Sequence, residues 1–113
     1  TETKNKEYDA AKENFQRFLT LYPEHKLAGN AQYWLGELYY AQGDWERAIL
    51  EFDKVVKKHP KAEKVPAALL KQGLSFEKLG AVKEAKVLLS DVIERFPKTP
   101  EADIAKKRLK EIK

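Results

Sequence analysis

The stretch from Asn30 to Pro60, NAQYWLGELYYAQGDWERAILEFDKVVKKHP, decides the fold of this chain. Its apolar residues recur at helical spacing on both sides of a central break, which predicts two amphipathic helices. Gly43 and Asp44 form the break, because Gly favours a helix end and Asp caps the helix that follows. Pro60 ends the second helix, since proline cannot continue a helical hydrogen-bond ladder. The stretch is therefore predicted to fold as a helical hairpin.

The hairpin recurs along the chain with a period of 37 residues. Prolines mark the period at positions 23, 60 and 97, and other similar residues share the same offset. These sets are Ala11, Ala48 and Ala85; Phe15, Phe52 and Leu89; Phe18, Val55 and Val92; and the pairs Gly36 with Gly73 and Gly43 with Gly80. Self-similarity at such a period is the signature of a solenoid.

The spacing inside each unit resembles that of the tetratricopeptide repeat. Leu35 is followed by the small Gly36 and then by Tyr39, and the second helix carries Ala48, Phe52 and a proline stop. The predicted fold class is therefore all-α: a tetratricopeptide-repeat solenoid of about six antiparallel helices in a short right-handed superhelix.

We predict a single domain, residues 1–113, in four parts. Residues 4–22 form the second helix of a truncated repeat, residues 30–60 and 66–97 are full repeats, and residues 100–112 form a capping helix. Residues 1–3 are expected to fray. The connectors after the first two prolines are about three residues longer than a 34-residue repeat requires, so extended loops or an extra helical turn are expected there.

Individual residues predict the helix caps and a close contact between two helices. Asn30, Asp44 and Thr99 are the predicted N-caps, and Ala81 replaces the cap at the second turn. Gly36 lies in the middle of a helix, where Gly costs roughly 1 kcal/mol relative to Ala. We therefore expect two helix backbones to cross near Gly36 and Ala48, and again near Gly73 and Ala85. Basic residues of the last helix are expected to form a solvated capping face: Lys106, Lys107, Arg108 and Lys110.

Composition excludes several classes of protein. Hydrophobic residues make up 42% and charged residues 35% of the 113 residues, which indicates a folded helical domain rather than disorder. No apolar run approaches the roughly 20 residues that a membrane span needs. The net charge of +4 comes from 22 basic and 18 acidic residues that are interspersed, so we expect no nucleic-acid partner. The chain opens at Thr1 and is interpreted as an excised domain.

Catalytic and metal-binding patterns are lacking. His25 and His59 lie in or beside loops without the spacing of metal ligands, and they are interpreted as solvated loop residues. Ser75 and Ser90 have no nucleophile motif around them, and cysteine is absent. We expect no enzyme activity, no cofactor and no metal.

The informative surface is the side of the solenoid formed by the first helix of each pair, the expected concave face. Exposed aromatic residues on such a face are typical of docking sites. The predicted partner-binding residues are Tyr33, Trp34, Glu37, Tyr40, Leu70, Lys71, Leu74, Glu77 and Lys78. The alternative interpretation is that Tyr33 and Trp34 belong to the core and pack against Tyr22 or Leu27. Tyr33 and Leu70 occupy positions that hold Lys, Arg or Asn in carboxylate-clamp repeats, so recognition of a free peptide C-terminus is not expected.

A second candidate surface is basic. Lysines cluster around the second connector at positions 54, 57, 58, 61 and 64. They suit phosphates, another anionic polymer or an acidic partner, and binding of that kind weakens steeply with salt. A solvated helix end is the favoured interpretation.

Several segments are similar to one family. NAQYWLGELYY, GDWERAILEFDKVV with KHP, AALLKQGLSFEKLG and RFPKTPEADIAKKRL, over roughly residues 8–110, resemble the repeat domain of the Tol-Pal-associated YbgF (CpoB) family. The resemblance implies a periplasmic adaptor without catalytic residues. It implies binding to TolA and work with the peptidoglycan-synthesis machinery in cell division and outer-membrane constriction. Members of the family trimerise through an N-terminal coiled coil, which this sequence does not contain.

One other family shares the prolines that follow an aromatic residue. The alternative function is a scaffold component of an outer-membrane assembly complex, resembling the tetratricopeptide lipoprotein of the β-barrel insertion machinery. An upstream lipobox cysteine would distinguish that family from the first.

Overall fold

The computed structural model describes residues 2–112 and contains six α-helices in that range. They are α1 (Glu2–Leu21), α2 (Ala28–Ala41), α3 (Trp45–Lys58), α4 (Val65–Lys78), α5 (Val82–Arg95) and α6 (Pro100–Glu111). Each helix packs against the next along the chain, and α4 also contacts α6. The helix order and the pairing of neighbours confirm the all-α repeat solenoid.

Two helices begin earlier than predicted. Helix α1 already includes Glu2 and Thr3, where fraying is expected, and Thr1 lies outside the described residues. Asn30 is not an N-cap, because α2 begins at Ala28, and Leu27 precedes it without a side-chain cap. The reason lies in the connector: His25 N–H donates to Tyr22 O at 3.1 Å, and Ala28 N–H donates to His25 O at 2.9 Å.

The second connector repeats this arrangement. Ala62 N–H donates to His59 O at 2.9 Å, and Val65 N–H donates to Ala62 O at 3.2 Å. The surplus residues of both connectors thus form helical turns that lead directly into α2 and α4. The expectation of an extra turn is confirmed.

The turns inside the two repeats follow the sequence. Gly43 and Gly80 have φ values of 74° and 79°, a conformation that side chains disfavour. The Asp44 side chain accepts a hydrogen bond from Arg47 N–H at 3.3 Å. Ala81 provides no side-chain cap for α5, as predicted. Thr99 caps α6 by accepting from Ala102 N–H at 3.2 Å.

The core lies between the two full repeats and under α6. Equivalent residues of α3 and α5 are fully buried: Ala48, Phe52 and Val55 in one, and Ala85, Leu89 and Val92 in the other. Ala102 and Ala105 of α6 close the far end. In contrast, no residue of Glu2–Leu21 is buried, so α1 is attached at the surface of the stack.

The two mid-helix glycines lie against large side chains of the partner helix. The atoms nearest to a Cβ at Gly36 belong to the Phe52 ring, and those nearest to a Cβ at Gly73 belong to Leu89 and Leu88. Ala48 and Ala85, the predicted crossing partners, are fully buried one turn before Phe52 and Leu89. Gly is needed at position 36 because the Phe52 ring occupies the space that a side chain would fill.

One buried contact distinguishes the first repeat from the second. Gln32 Nε2 donates to Glu51 Oε1 at 2.7 Å, and both residues are buried. Lys54 Nζ lies 3.1 Å from the same oxygen. The equivalent positions of the second repeat hold Leu69 and Leu88, which pack in the core cluster. A polar pair in the first repeat thus replaces an apolar pair in the second.

Candidate functional site

The predicted partner-binding residues fall into three environments. Tyr33 and Leu70 are 6% and 5% exposed and belong to the core. Their assignment to an exposed surface is wrong. The two residues share one repeat position, and at that position the side chain packs into the core cluster. The Tyr33 ring packs 5.6 Å from the Phe52 ring. Burial, and then the neighbouring Glu37 carboxylate, raise the pKa of Tyr33 above its usual range.

Four of the predicted residues line one cleft. Tyr40 comes from α2, Leu74, Glu77 and Lys78 come from α4, and Arg108 of α6 completes the lining. We call this the α2–α4–α6 cleft; its volume is about 340 Å³. It lies on the side predicted to be concave, where the first helices of successive units follow one another.

Arg108 is the residue that the sequence reasoning missed. It was expected on a solvated capping face, but Arg108 Nε donates to Glu77 Oε1 at 2.7 Å and a second nitrogen contacts the other oxygen. Arg108 Nη1 also donates to Glu111 at 2.6 Å. The repeat offset could have identified the contact of Arg108 with α4, because Arg108 lies 37 residues after Lys71 and occupies the same repeat position. The Arg108 guanidinium lowers the pKa of Glu77 by hydrogen bonding.

Glu37 and Lys71 connect α2 with α4 beside the cleft. Lys71 Nζ lies 3.3 Å from Glu37 Oε1, a buried oxygen without a hydrogen-bond partner among the described residues. The same ammonium lies 4.3 Å from the centre of the Tyr40 ring. Burial, followed by the charges of Glu37 and Glu77, raises the pKa of Tyr40. Lys71 and Arg108 thus each reach back to the preceding first helix.

The aromatic side of the cleft continues into α3. The rings of Tyr40 and Trp45 are 4.9 Å apart in an edge-to-face contact. Lys78 Nζ lies 5.8 Å from the Trp45 ring, and Lys78 is exposed. The cleft therefore combines an aromatic and aliphatic floor with charged groups that are mostly paired. Such a surface can bury apolar side chains of a partner and fix their register through charge.

Trp34 is separate from this cleft. It is 45% exposed and lines a groove of about 360 Å³ between α1 and α2, which we call the α1–α2 groove. The other lining residues are Asn14, Phe15, Phe18, Leu27, Asn30 and Ala31. Lys64 Nζ lies 5.3 Å from the Trp34 ring. Trp34 and Leu27 therefore share a surface, as the alternative interpretation proposed, but both stay substantially exposed.

A larger cleft lies elsewhere and is polar. It has a volume of about 610 Å³ and lies between α1 and α3, with Gln32, Glu51, Lys54 and His59 among its lining. Its buried polar groups already satisfy one another through the Gln32–Glu51 hydrogen bond. Size alone therefore does not make it the candidate site.

The basic cluster is largely paired within the chain. Lys54 contacts Glu51, Lys57 lies 3.6 Å from Asp53, and Lys64 lies over the Tyr33 and Trp34 rings. These intramolecular contacts support the interpretation of a solvated helix end over that of an anion-binding patch.

The histidines make local contacts. His25 is exposed, its ring centre lies 5.5 Å from that of Phe18, and its Nδ1 accepts from Leu27 N–H at 3.0 Å. Among residues 2–112, no group of three or more His, Cys, Asp or Glu residues is placed to hold a metal ion. In the same range, no helix has both the length and the apolar character needed to cross a membrane.

Comparison with known proteins agrees with the helical repeat architecture. Two curated proteins named Cell division coordinator CpoB, one from Pseudomonas putida strain KT2440 and one from Pseudomonas putida, are each 54% identical to the chain over 41 residues. The match covers 36% of this chain and 15% of each relative, so the chain corresponds to a small part of their length. Tetratricopeptide repeat family models match residues 4–63 and residues 67–99. Since the first of these matches alone covers more than half of the sequence, the chain belongs to the tetratricopeptide repeat family.

Proposed function

We propose that the chain is a non-enzymatic adaptor that docks a segment of a partner protein in the α2–α4–α6 cleft. The observation that carries the proposal is the convergence of Tyr40, Leu74, Glu77, Lys78 and Arg108 from three successive first helices on one cleft. A cleft that crosses several helices suits an extended or helical segment better than a small molecule.

The residues of the cleft have different roles in this proposal. Tyr40 and Leu74 provide apolar contact, because both are only partly buried and pack on the core behind them. The Glu77–Arg108 and Glu37–Lys71 pairs are fixed by the fold, so a partner has to match an existing charge pattern. Lys78 is exposed and can pair with an acidic group of the partner. Apolar contact then supplies most of the affinity, and charge supplies orientation.

The proposed biological setting rests on the name of the relatives and on the resemblance. The name of the relatives, Cell division coordinator, and the repeat architecture support a protein-interaction role in cell division. The resemblance to the YbgF (CpoB) family points to the periplasm, to the Tol-Pal system and to TolA as the partner. On the same basis, the adaptor connects outer-membrane constriction with septal peptidoglycan synthesis.

Calorimetric titration with the periplasmic domains of TolA, at two salt concentrations, tests the proposal. We expect saturable binding that weakens only mildly with salt, because apolar contact dominates. Binding that weakens steeply with salt would instead indicate the basic cluster at positions 54–64. Absence of binding to TolA at either salt concentration would contradict the proposed partner.

Two variants assign the binding to the cleft. Leu74→Glu is expected to reduce the affinity at least tenfold, and Lys78→Glu is expected to reduce it by a smaller factor, because an exposed ion pair contributes only about 0–1 kcal/mol. Lys83→Glu is the matched control for Lys78→Glu, since Lys83 is also exposed but lies on α5. Circular dichroism of each variant checks that the helices are intact. Equal affinity of the wild-type protein and the Lys78→Glu and Leu74→Glu variants would remove the cleft from the site.

A further inference from the structure

The outward faces of α3 and α5 carry opposite charges at equivalent positions. Residues spaced 3, 4 and 3 apart form one stripe along each of these second helices, and the 37-residue offset relates the two stripes. We call them the α3 stripe, formed by Arg47, Leu50, Lys54 and Lys57, and the α5 stripe, formed by Glu84, Val87, Asp91 and Glu94. Each basic residue of the α3 stripe corresponds to an acidic residue of the α5 stripe, and Leu50 corresponds to Val87.

Both stripes are open to solvent. Leu50 and Val87 are 62% and 68% exposed, and of the eight stripe residues only Asp91 is partly buried. Val87 also borders two open grooves beside α5, with volumes of about 420 and 310 Å³. An exposed apolar residue between charged residues three and four positions away has the layout of a helix–helix contact.

The chain does not pair the two stripes with each other. The ion pairs of the stripe residues, within residues 2–112, are local ones: Arg47 with Asp44, Lys54 with Glu51, Lys57 with Asp53 and Asp91 with Arg95. Exposed pairs of residues three or four positions apart contribute little to stability and leave the charged groups accessible. The charge pattern of each stripe is therefore available to a group outside the chain.

We propose that two copies of the chain associate through these stripes, with the α3 stripe of each copy against the α5 stripe of the other. Helices α3 and α5 run in the same direction, since each is the second helix of its hairpin. A two-fold axis parallel to them keeps that direction and exchanges their places, so both contacts form at once and in register. Each charged layer then joins opposite signs, around a central layer of Leu50 and Val87. Such an isologous interface is closed and ends at the dimer.

The matched charge pattern identifies the partner as a second copy. A surface of one sign would suit any partner of the opposite sign, whereas this chain carries both halves of one pattern at the same repeat positions. Contact of α3 with α3 would oppose basic residues in every charged layer, so charge selects the pairing of α3 with α5. Because exposed ion pairs are weak and are screened by salt, the dimer is expected to be weak and salt-sensitive.

Dimerisation is separate from the proposed adaptor function. The α2–α4–α6 cleft is lined by residues of first helices, so the dimer leaves it open in both copies. The two clefts can then bind two segments of one partner, which raises the overall affinity by avidity. Association of the chain is measured without TolA, so failure of one proposal leaves the other in place.

Reversing the charge of one stripe at a time tests the pairing. One variant, Arg47→Glu with Lys57→Glu, reverses the α3 stripe, and a second, Glu84→Lys with Glu94→Lys, reverses the α5 stripe. All four residues are exposed, so the helices are expected to stay intact, which circular dichroism checks. Sedimentation equilibrium from about 10 μM to about 1 mM protein measures the association.

We expect the wild-type chain to form a dimer. Its Kd is expected to rise at least tenfold between about 0.1 M and about 1 M salt, because the Debye length falls from about 10 Å to about 3 Å. Each reversed variant alone is expected to dimerise at least tenfold more weakly than the wild-type chain. A 1:1 mixture of the two variants is expected to restore the dimer, since the reversed stripes then meet each other and so do the unchanged ones.

The apolar centre of the stripes provides a second test. Leu50→Asp is expected to abolish the dimer, because the carboxylate would lie against Val87 of the other copy. Ile104→Asp is the matched control, since Ile104 is 49% exposed but lies on α6, outside both stripes. This control variant is expected to dimerise like the wild-type chain.

Three results would overturn the proposal. One is a wild-type chain that stays monomeric at about 1 mM and 0.1 M salt, in which case the stripes would serve another protein. The second is a mixture of reversed variants that associates no more strongly than either variant alone, since a different surface would then hold the copies together. The third is growth of the mass beyond that of a dimer, which a closed two-fold interface excludes.

Discussion

Gly36 lies directly against the ring of Phe52: a Cβ on Gly36 would be 2.6 Å from Cε1 of that ring. Real Cβ atoms do not approach a ring so closely, so any side chain at this position displaces Phe52. Phe52 is fully buried and also packs against Tyr33, so the ring has little room to move. The equivalent pair is looser, since a Cβ on Gly73 would lie 3.2 Å from Leu89.

This difference predicts unequal effects of the same substitution. Gly36→Ala is expected to destabilise the fold by about 1–2 kcal/mol, because overpacking outweighs the gain in helix propensity. Gly73→Ala is the matched control and is expected to be close to neutral. Urea denaturation of the two variants measures the difference. Equal midpoints would show that the Phe52 ring relaxes freely.

Substitutions at the equivalent N-cap positions of the two inter-helix turns are predicted to change the stability in opposite directions. Asp44 and Ala81 have nearly the same backbone, with φ and ψ of −90° and 74° for Asp44 and −84° and 73° for Ala81. Asp44→Ala is expected to cost about 1 kcal/mol, and Ala81→Asp to stabilise by roughly 0.5–1 kcal/mol. Thermal denaturation checks both. Asp44→Asn keeps a capping oxygen, so it should lose less stability than Asp44→Ala.

Alkaline pH is expected to destabilise the chain through Tyr33. Its pKa is raised in the folded state, above the value of about 10 in an unfolded chain. The unfolded state therefore loses its proton first, and stability falls as the pH rises beyond about 10. Tyr33→Phe should reduce this decline in urea midpoints measured between pH 8 and 11, and the part that remains includes that of Tyr40, whose pKa is also raised. Tyr22→Phe, at an exposed tyrosine, is the matched substitution and should leave the decline in place.

Acidic pH is expected to weaken the contact between α4 and α6. The pKa of Glu77 is lowered by Arg108, so the contribution of this pair is present above the unfolded value of about 4.3 and is lost as the pH falls through the lower folded value. Arg108→Gln should move the Glu77 pKa upward in an NMR titration. Arg95→Gln removes a pair with Asp91 inside α5 and should leave Glu77 unchanged. A Glu77 pKa that is the same in the Arg108→Gln variant and the wild-type protein would contradict this interpretation.

Much of the fold could be predicted because the same pattern of turn and core residues recurs in each repeat. The 37-residue offset located the turns at Gly43 and Gly80, the cap at Asp44 and the missing cap at Ala81. The start of α2 could not be predicted from Asn30, because backbone hydrogen bonds in the connector begin the helix two residues earlier. The preference of Asn30 for an N-cap position was outweighed by the backbone hydrogen bonds that lead from the connector into α2.

The candidate site was predicted less well, because helical periodicity gives the face of a residue but not its depth. Tyr33 and Trp34 are neighbours, yet one is in the core and the other lines an open groove. Which of them is covered depends on how far α4 and α1 extend over α2, a tertiary property. Arg108 was missed for the opposite reason: its sequence neighbours are solvated lysines, and only the position of Lys71 one unit earlier indicates its contact with α4.

The buried hydrogen bond between Gln32 and Glu51 bears on how the chain avoids folding incorrectly. Two similar hairpins in one chain can exchange partners, with α2 docked on α5 and α4 docked on α3. In that arrangement Gln32 would face Leu88 and lose its buried partner, whereas Glu51 would face Leu69 and keep only Lys54 of its own helix. Leaving the Gln32 amide without a partner costs about 1–3 kcal/mol. We therefore expect the polar pair to favour the native pairing of the helices over the exchanged one.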